Sequence, residues 1–243
     1  MKDMVSLTID DRVIETEAGR TILEVARENG IEIPTLCYNE GLEPYGACRL
    51  CLVEISRNGH SRLVASCLYP VEEGLVVKTA SDRVLANRKM LMELLLARCS
   101  GVKVIEDMAR KMGVDKPSFK PEYIQHDECI LCGLCVRACS EVVGTSAISL
   151  VNRGVKREVA APFLDTASDC IGCGSCVYVC PTKCIKMEDT GDTRTISNWN
   201  VTFKLKRCNV CGSHFAPEKQ LEYIRHKLDL PDDFFDTCPN CRK

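Results

Sequence analysis

The chain has 243 residues, with 32 Lys and Arg against 34 Asp and Glu for a net charge of −2, and it carries 18 cysteines. That near-neutral balance, with aromatics at 5%, argues against a nucleic-acid surface, which needs a basic stripe or a base-stacking platform. The opening "MKDMVSLTID" lacks an apolar signal core, and the apolar run "MLMELLLA" is broken by Glu93 and too short to span a bilayer, so the expectation is a soluble, cytoplasmic protein whose thiols stay reduced.

Residues 5–9, "VSLTI", alternate as a half-buried strand does, Asp10 and Asp11 make a turn, and "RVIET" returns as the partner strand. Thr21 and Glu24 form a T-x-x-E capping box before a helix carrying Ile22, Leu23 and Ala26, and Gly30 stops it. "CLVEI", "RLVAS" and "LVVKT" predict further short strands. Cys37, Cys48, Cys51 and Cys67 fall on the loops of this region, spaced C-x10-C-x2-C-x15-C. A zinc site usually shows two close pairs, whereas this group has one; the central "GACRLC" instead suits a [2Fe-2S] cluster, with Gly46 and Ala47 letting backbone N–H groups approach the sulfurs.

The stretches "IPTLCYNEGLEPYGACRLCLVEI" and "SCLYPVEEGLVVKT" resemble the N-terminal domain of the large iron–sulfur subunit of complex I. The same domain occurs in iron-only hydrogenases and in small iron–sulfur subunits of NAD-linked hydrogenases. The fold this resemblance implies for residues 1–80 is a β-grasp, ferredoxin-like domain. Relatives often carry an H-x3-C-x2-C-x5-C motif next; here residues 81–125 hold Cys99 alone and no histidine, so that additional four-iron cluster is not expected. Residues 81–122 are a helical connector, with one helix over 82–98 (stripe Val84, Leu85, Leu91, Met92 and Leu95, interrupted by Arg88) and a second over 103–113.

"CILCGLCVRAC" and "CIGCGSCVYVCP" repeat C-x2-C-x2-C-x3-C at an offset of 41 residues. In two-cluster bacterial ferredoxins the fourth cysteine of each run serves the other cluster. Cys129, Cys132, Cys135 and Cys180 are therefore expected to hold one [4Fe-4S] cluster, and Cys170, Cys173, Cys176 and Cys139 a second. Gly133, Gly172 and Gly174 permit the turns around them, and "AISLVNRG" with "REVAAPF" suggests a hairpin between the runs. Cys99 and Cys184 read as buried structural thiols, and His126 as an outer or surface residue.

Residues 191–243 close with two C-x-x-C pairs, Cys208/Cys211 and Cys238/Cys241, in "RCNVCGSHF" and "CPNC". These knuckles resemble zinc ribbons and rubredoxin; zinc stands ahead of a third [4Fe-4S] cluster, and both remain open. Between them Pro217 opens a helix with Leu221, Ile224 and Leu228 on one face and Pro231 at its end, while His214 is expected to be exposed.

The fold class is thus α+β, with a β-grasp [2Fe-2S] domain (1–80), helical connector (81–122), bacterial-type 2[4Fe-4S] ferredoxin domain (123–190) and a small C-terminal four-cysteine metal module (191–243). No nucleotide motif or nucleophile–base pair appears, so the expectation is a conductor without a substrate site of its own. It resembles the iron–sulfur subunits of NAD-reducing or electron-bifurcating hydrogenases and transhydrogenases. That resemblance implies electron transfer alongside a flavoprotein binding FMN and NAD(P)H and a small thioredoxin-like two-iron subunit. Hydrogenase subunits or a second flavoprotein and free ferredoxin are further implied partners. The alternatives are a free-standing large ferredoxin and, more remotely, an iron–sulfur redox sensor.

Overall fold

The computed structural model describes residues 3–119 and 128–242, which places His126 outside the described residues. Two compact units divide between Gly133 and Leu134. In the first, β1 (Met4–Ile9) and β2 (Arg12–Glu17) form a hairpin in which Asp10 and Asp11 both take positive φ, 45° and 67°. That is the pairing a two-residue type I′ turn demands. Helix α1 (Ile22–Glu28) starts on a complete capping box: Thr21 N donates to Glu24 Oε2 at 2.8 Å and Glu24 N to Thr21 Oγ1 at 3.3 Å. It buries Ile22, Leu23, Val25 and Ala26.

Strands β3 (Leu52–Arg57), β4 (His60–Ala65) and β5 (Val76–Lys78) complete a five-stranded sheet of order β2-β1-β5-β3-β4. The β1–β5 pair is parallel and the others antiparallel. Its core joins Leu7, Ile9, Val53, Ile55 and Val77 to the apolar face of α1.

Helix α2 (Asp82–Arg98) begins at Ser81, whose hydroxyl accepts from Val84 N, and α3 (Lys103–Lys111) follows. The buried face of α2 is Val84, Arg88, Met92 and Leu96, an i, i+4 series, while Leu85 is 51% exposed. The stripe expected from sequence is therefore rotated. Arg88 lies inside the packed face and does not interrupt it.

The second unit opens with the one-turn helix α4 (Leu134–Arg137), which widens into a π-helical turn, Ala138–Val143. A hairpin follows, β6 (Ser149–Val151) with β7 (Glu158–Ala160), and then helix α5 (Ser175–Val179). Strands β8 (Met187–Thr190), β9 (Thr193–Ile196), β10 (Val201–Arg207) and β11 (His214–Pro217) make a four-stranded antiparallel sheet, and α6 (Glu218–Leu228) packs on β10 and β11. The β8–β9 hairpin turns at residues 190–193. Ile196, Trp199, Val201 and Phe203 from this sheet share one core with Cys135, Cys176 and Cys180. Pro217 precedes α6, Leu221 is buried, and Leu228 is 63% exposed; the helix stops at Asp229, in a left-handed conformation, before Pro231.

Candidate metal centres

The first cysteine group sits at one end of the β3–β4 hairpin. Register pairs Leu52 with Ala65, so Cys51 and Cys67 emerge together beyond the ladder, and Ser66 N closes it on Cys51 O at 3.1 Å. This is the structural content of the x15 interval: two six-residue strands and their turn. Cys51 Sγ and Cys67 Sγ lie 3.3 Å apart. Cys37 and Cys48 come from the loop before β3, and Cys48 N donates to Cys37 Sγ at 3.3 Å. Cys37, Cys51 and Cys67 are buried and Cys48 is half-buried. Within each couple one thiol holds the proton and favours its neighbour's thiolate. Cys48 is lowered to about 6 by Cys37 and Cys51 to about 7 by Cys67, while Cys37 and Cys67 are raised. Thiolates are the ligating form, and two of the four sulfurs, Cys48 and Cys51, are favoured in it.

In the second unit, a small pocket is lined by Cys139, Cys170, Cys173 and Cys176 together with Ile148, Ile171, Ile196 and Trp199. The π-helical turn carries Cys139 into this wall, and the Cys139 carbonyl accepts from Gly144, Thr145 and Ser146 N–H groups. Three sulfurs have donors or hydroxyls in reach: Ala147 N to Cys139 Sγ at 3.3 Å, Trp199 Nε1 to Cys176 Sγ at 3.4 Å, and Ser175 Oγ beside Cys173 Sγ at 3.4 Å. Burial pushes Cys176 up to about 11 against the pull of the Trp199 N–H, and it raises Cys170 too. A cavity walled by four thiols and branched apolar side chains fits a thiolate-bound cluster sheltered from water.

The other expected four-iron set draws Cys129 and Cys132 from the first unit and Cys135 and Cys180 from the second. In the first, Leu131 N lies 3.4 Å from Cys129 Sγ, Arg98 Nε donates to Cys129 O at 2.9 Å, and Ile130 packs on the α2–α3 core. In the second, Cys135 and Cys180 are both buried in the shared core. Cys184 lies 3.6 Å from Cys180, and its thiol is the main reason Cys180 is pushed up to about 12. Cys99 is fully buried at the end of α2.

The Sγ atoms of Cys208, Cys211, Cys238 and Cys241 all lie within 4.8 Å of one another, with Cys211 and Cys238 at 3.8 Å. Four sulfurs about 2.3 Å from a single tetrahedral ion stand about 3.8 Å apart. The four irons of a cubane each take their own thiolate, which spreads the sulfurs wider, so this spacing fits one ion better than a cluster. Backbone N–H groups at Cys211 and Cys238 lower Cys208 to about 6, and Cys238 N approaches Cys208 Sγ at 3.3 Å. Asp236 ties the knuckles: its carboxylate meets Lys206 Nζ at 2.9 Å and its carbonyl accepts from Asn209 N at 2.9 Å. His214 is exposed at the start of β11.

A family model described as a 2Fe-2S iron-sulfur cluster binding domain matches residues 2–82, and one described as a 4Fe-4S dicluster domain matches residues 123–187. The chain is 36% identical over 205 residues to the NADPH-Fe(3+) oxidoreductase subunit alpha of Geobacter sulfurreducens (strain DL-1 / KN400), covering 74% of this chain and 24% of that protein. It is 35% identical over 208 residues to the NADP-reducing hydrogenase subunit HndD of Solidesulfovibrio fructosivorans, covering 74% and 35%. It thus spans only about a quarter to a third of those relatives' length. Against the crystal structure of an NAD+-reducing [NiFe]-hydrogenase in the H2-reduced state the TM-score is 0.58 at 32% identity, covering 65% of this chain and 75% of that one. The chain belongs to the family of iron–sulfur proteins that includes these oxidoreductase and hydrogenase chains.

Within this iron–sulfur protein, no described helix is long and apolar enough to cross a membrane. The C-terminal sheet does more than carry the last four cysteines. Gly172, in the Cys170–Cys173 loop, packs against Phe203 and Pro217, Arg194 Nη1 donates to Gly172 O at 3.1 Å, and Tyr223 Oη donates to Val143 O at 2.9 Å. One group escaped sequence reasoning: Trp199 is separated from Cys176 by too long a stretch for any spacing rule.

Proposed function

We propose that this chain relays single electrons inside a cytoplasmic, multi-subunit, NAD(P)-linked oxidoreductase of the electron-bifurcating hydrogenase or transhydrogenase kind. Cys37, Cys48, Cys51 and Cys67 hold a [2Fe-2S] cluster on a β-grasp domain. Cys129, Cys132, Cys135 and Cys180 hold one [4Fe-4S] cluster, and Cys139, Cys170, Cys173 and Cys176 the other. When bound, the clusters supply one-electron storage sites. The chain's own residues hold them, exclude water and donate hydrogen bonds to their sulfurs.

The observation that most supports this reading is the cavity walled by Cys139 from the first run and Cys170, Cys173 and Cys176 from the second, the crossed ligand pattern of a two-cluster ferredoxin. Cys208, Cys211, Cys238 and Cys241 hold one zinc ion as a structural module of residues 191–243, a reading supported by their short sulfur separations. Electrons enter or leave through a flavoprotein carrying FMN and NAD(P)H, a small thioredoxin-like two-iron subunit, and ferredoxin or hydrogenase subunits. The test is anaerobic purification of the chain from its native cells, followed by size-exclusion chromatography. Co-elution with a flavin-containing chain and flavin-dependent NAD(P)H oxidation is expected, and a lone monomer with full activity would overturn the subunit reading.

A further inference from the structure

Arg88 is an unusual member of a packed helix face. It is 6% exposed, in line with Val84 and Met92, each 0% exposed. Its Nη2 donates to Leu52 O at 2.6 Å, directly after Cys51, while its Nε has no hydrogen-bond partner and no carboxylate forms an ion pair with it among the described residues. Burial is the dominant influence on its charge, and the Cys51 thiolate and then the Asp10 carboxylate oppose that cost in part. Asp10 is itself engaged by Thr79 N at 2.8 Å. Burying a guanidinium without a contacting anion is costly, and an arginine does not shed its proton to escape that cost. The compensation has to come from negative charge nearby, and the first cysteine group is where negative charge collects.

We propose that Arg88 is the fixed counter-charge of the two-iron site, holding its reduction potential up by offsetting the electron that the site accepts. The inference rests on Cys37, Cys48, Cys51 and Cys67 holding that cluster. One-electron reduction adds one negative charge to the thiolate-bound site. Arg88 is already protonated, so it contributes compensation without taking up a proton, and burial keeps salt from screening it. The guanidinium is anchored through Leu52 O to the strand that begins beside Cys51, so its separation from the site is fixed by the α2–β3 packing.

The experiment is an EPR-monitored potentiometric titration of the anaerobically purified full chain, with dithionite as reductant. Wild type is compared with R88M, which keeps bulk without charge, and R88K, which keeps charge without the fork. The expected result is a two-iron midpoint shifted to more negative potential in R88M, close to wild type in R88K, with the four-iron signals of the same samples unmoved. An R88M protein that loses the two-iron signal while R88K retains it near the wild-type potential also supports the charge role. An unchanged R88M midpoint, equal shifts in both variants, or loss of the cluster from both overturns it, leaving Arg88 as a tie between helix and strand. Separately, a C51S variant with an unaltered two-iron signal overturns the ligand assignment itself, whatever Arg88 does.

Discussion

Gly172→Ala probes how the C-terminal sheet supports the second four-iron site. Gly172 has φ +72°, and a Cβ there would fall 2.7 Å from Phe203 Cδ2 and 2.9 Å from Pro217 Cγ. Neither neighbour withdraws easily, because Phe203 is buried on β10 and Pro217 ends β11. Alanine in the left-handed region costs about 1–2 kcal/mol, and forcing bulk into a packed contact costs about 1–3 kcal/mol more. The expected penalty is therefore about 2–5 kcal/mol, placed on the loop between Cys170 and Cys173. Gly191 is the internal control: its φ is +62° and nothing lies within 4 Å of its Cβ position, so Gly191→Ala carries the strain alone, about 1–2 kcal/mol. Iron per chain, four-iron EPR amplitude and thermal midpoint of anaerobically purified protein read the outcome. G172A should lose part of one four-iron signal and unfold below G191A. Full iron content in G172A with a midpoint at or above that of G191A would refute the packing argument.

Three further outcomes follow from the same geometry. Cys208→Ser should remove the zinc of the C-terminal module, by metal analysis, while the EPR signals of all three clusters persist; loss of a four-iron signal would point to a cluster there. Trp199→Phe deletes the N–H donor to Cys176 Sγ, and since hydrogen bonds to cluster sulfurs stabilise added negative charge, the midpoint of that four-iron site should become more negative; an unchanged midpoint would contradict the assignment. Zinc binds these sulfurs as thiolates, so protons compete with it; zinc retention against a chromophoric chelator should fall as pH is lowered from neutral, and retention unchanged down to about pH 4 would refute thiolate ligation.

Spacing made most of the candidate ligands legible, because a cluster constrains thiolates that are close in sequence. The Cys170–Cys173–Cys176 series needed only its internal intervals, and the expectation for Cys139 came from the widened last step of its run; Cys139 lies in the π-helical turn at Ala138–Val143. Local rules also served for α1, whose capping box is present as the Thr21 and Glu24 side chains suggest, and for the Asp10–Asp11 turn. What escaped depends on long-range packing. Arg88 reads as a polar break in an apolar stripe, since a hydropathy pattern does not show that its long side chain reaches Leu52 O at the start of β3. The four strands β8–β11 were not anticipated, although Val201, Phe203 and Leu205 alternate cleanly with polar residues and face the core.

The most direct measurement is the metal content of the anaerobically purified chain. One two-iron cluster, two four-iron clusters and a single-ion four-cysteine site predict about 10 iron and one zinc per chain. About 14 iron with no zinc would contradict the C-terminal assignment, and four or more iron atoms missing from the 10 would contradict the two-cluster ferredoxin reading on which the electron path depends.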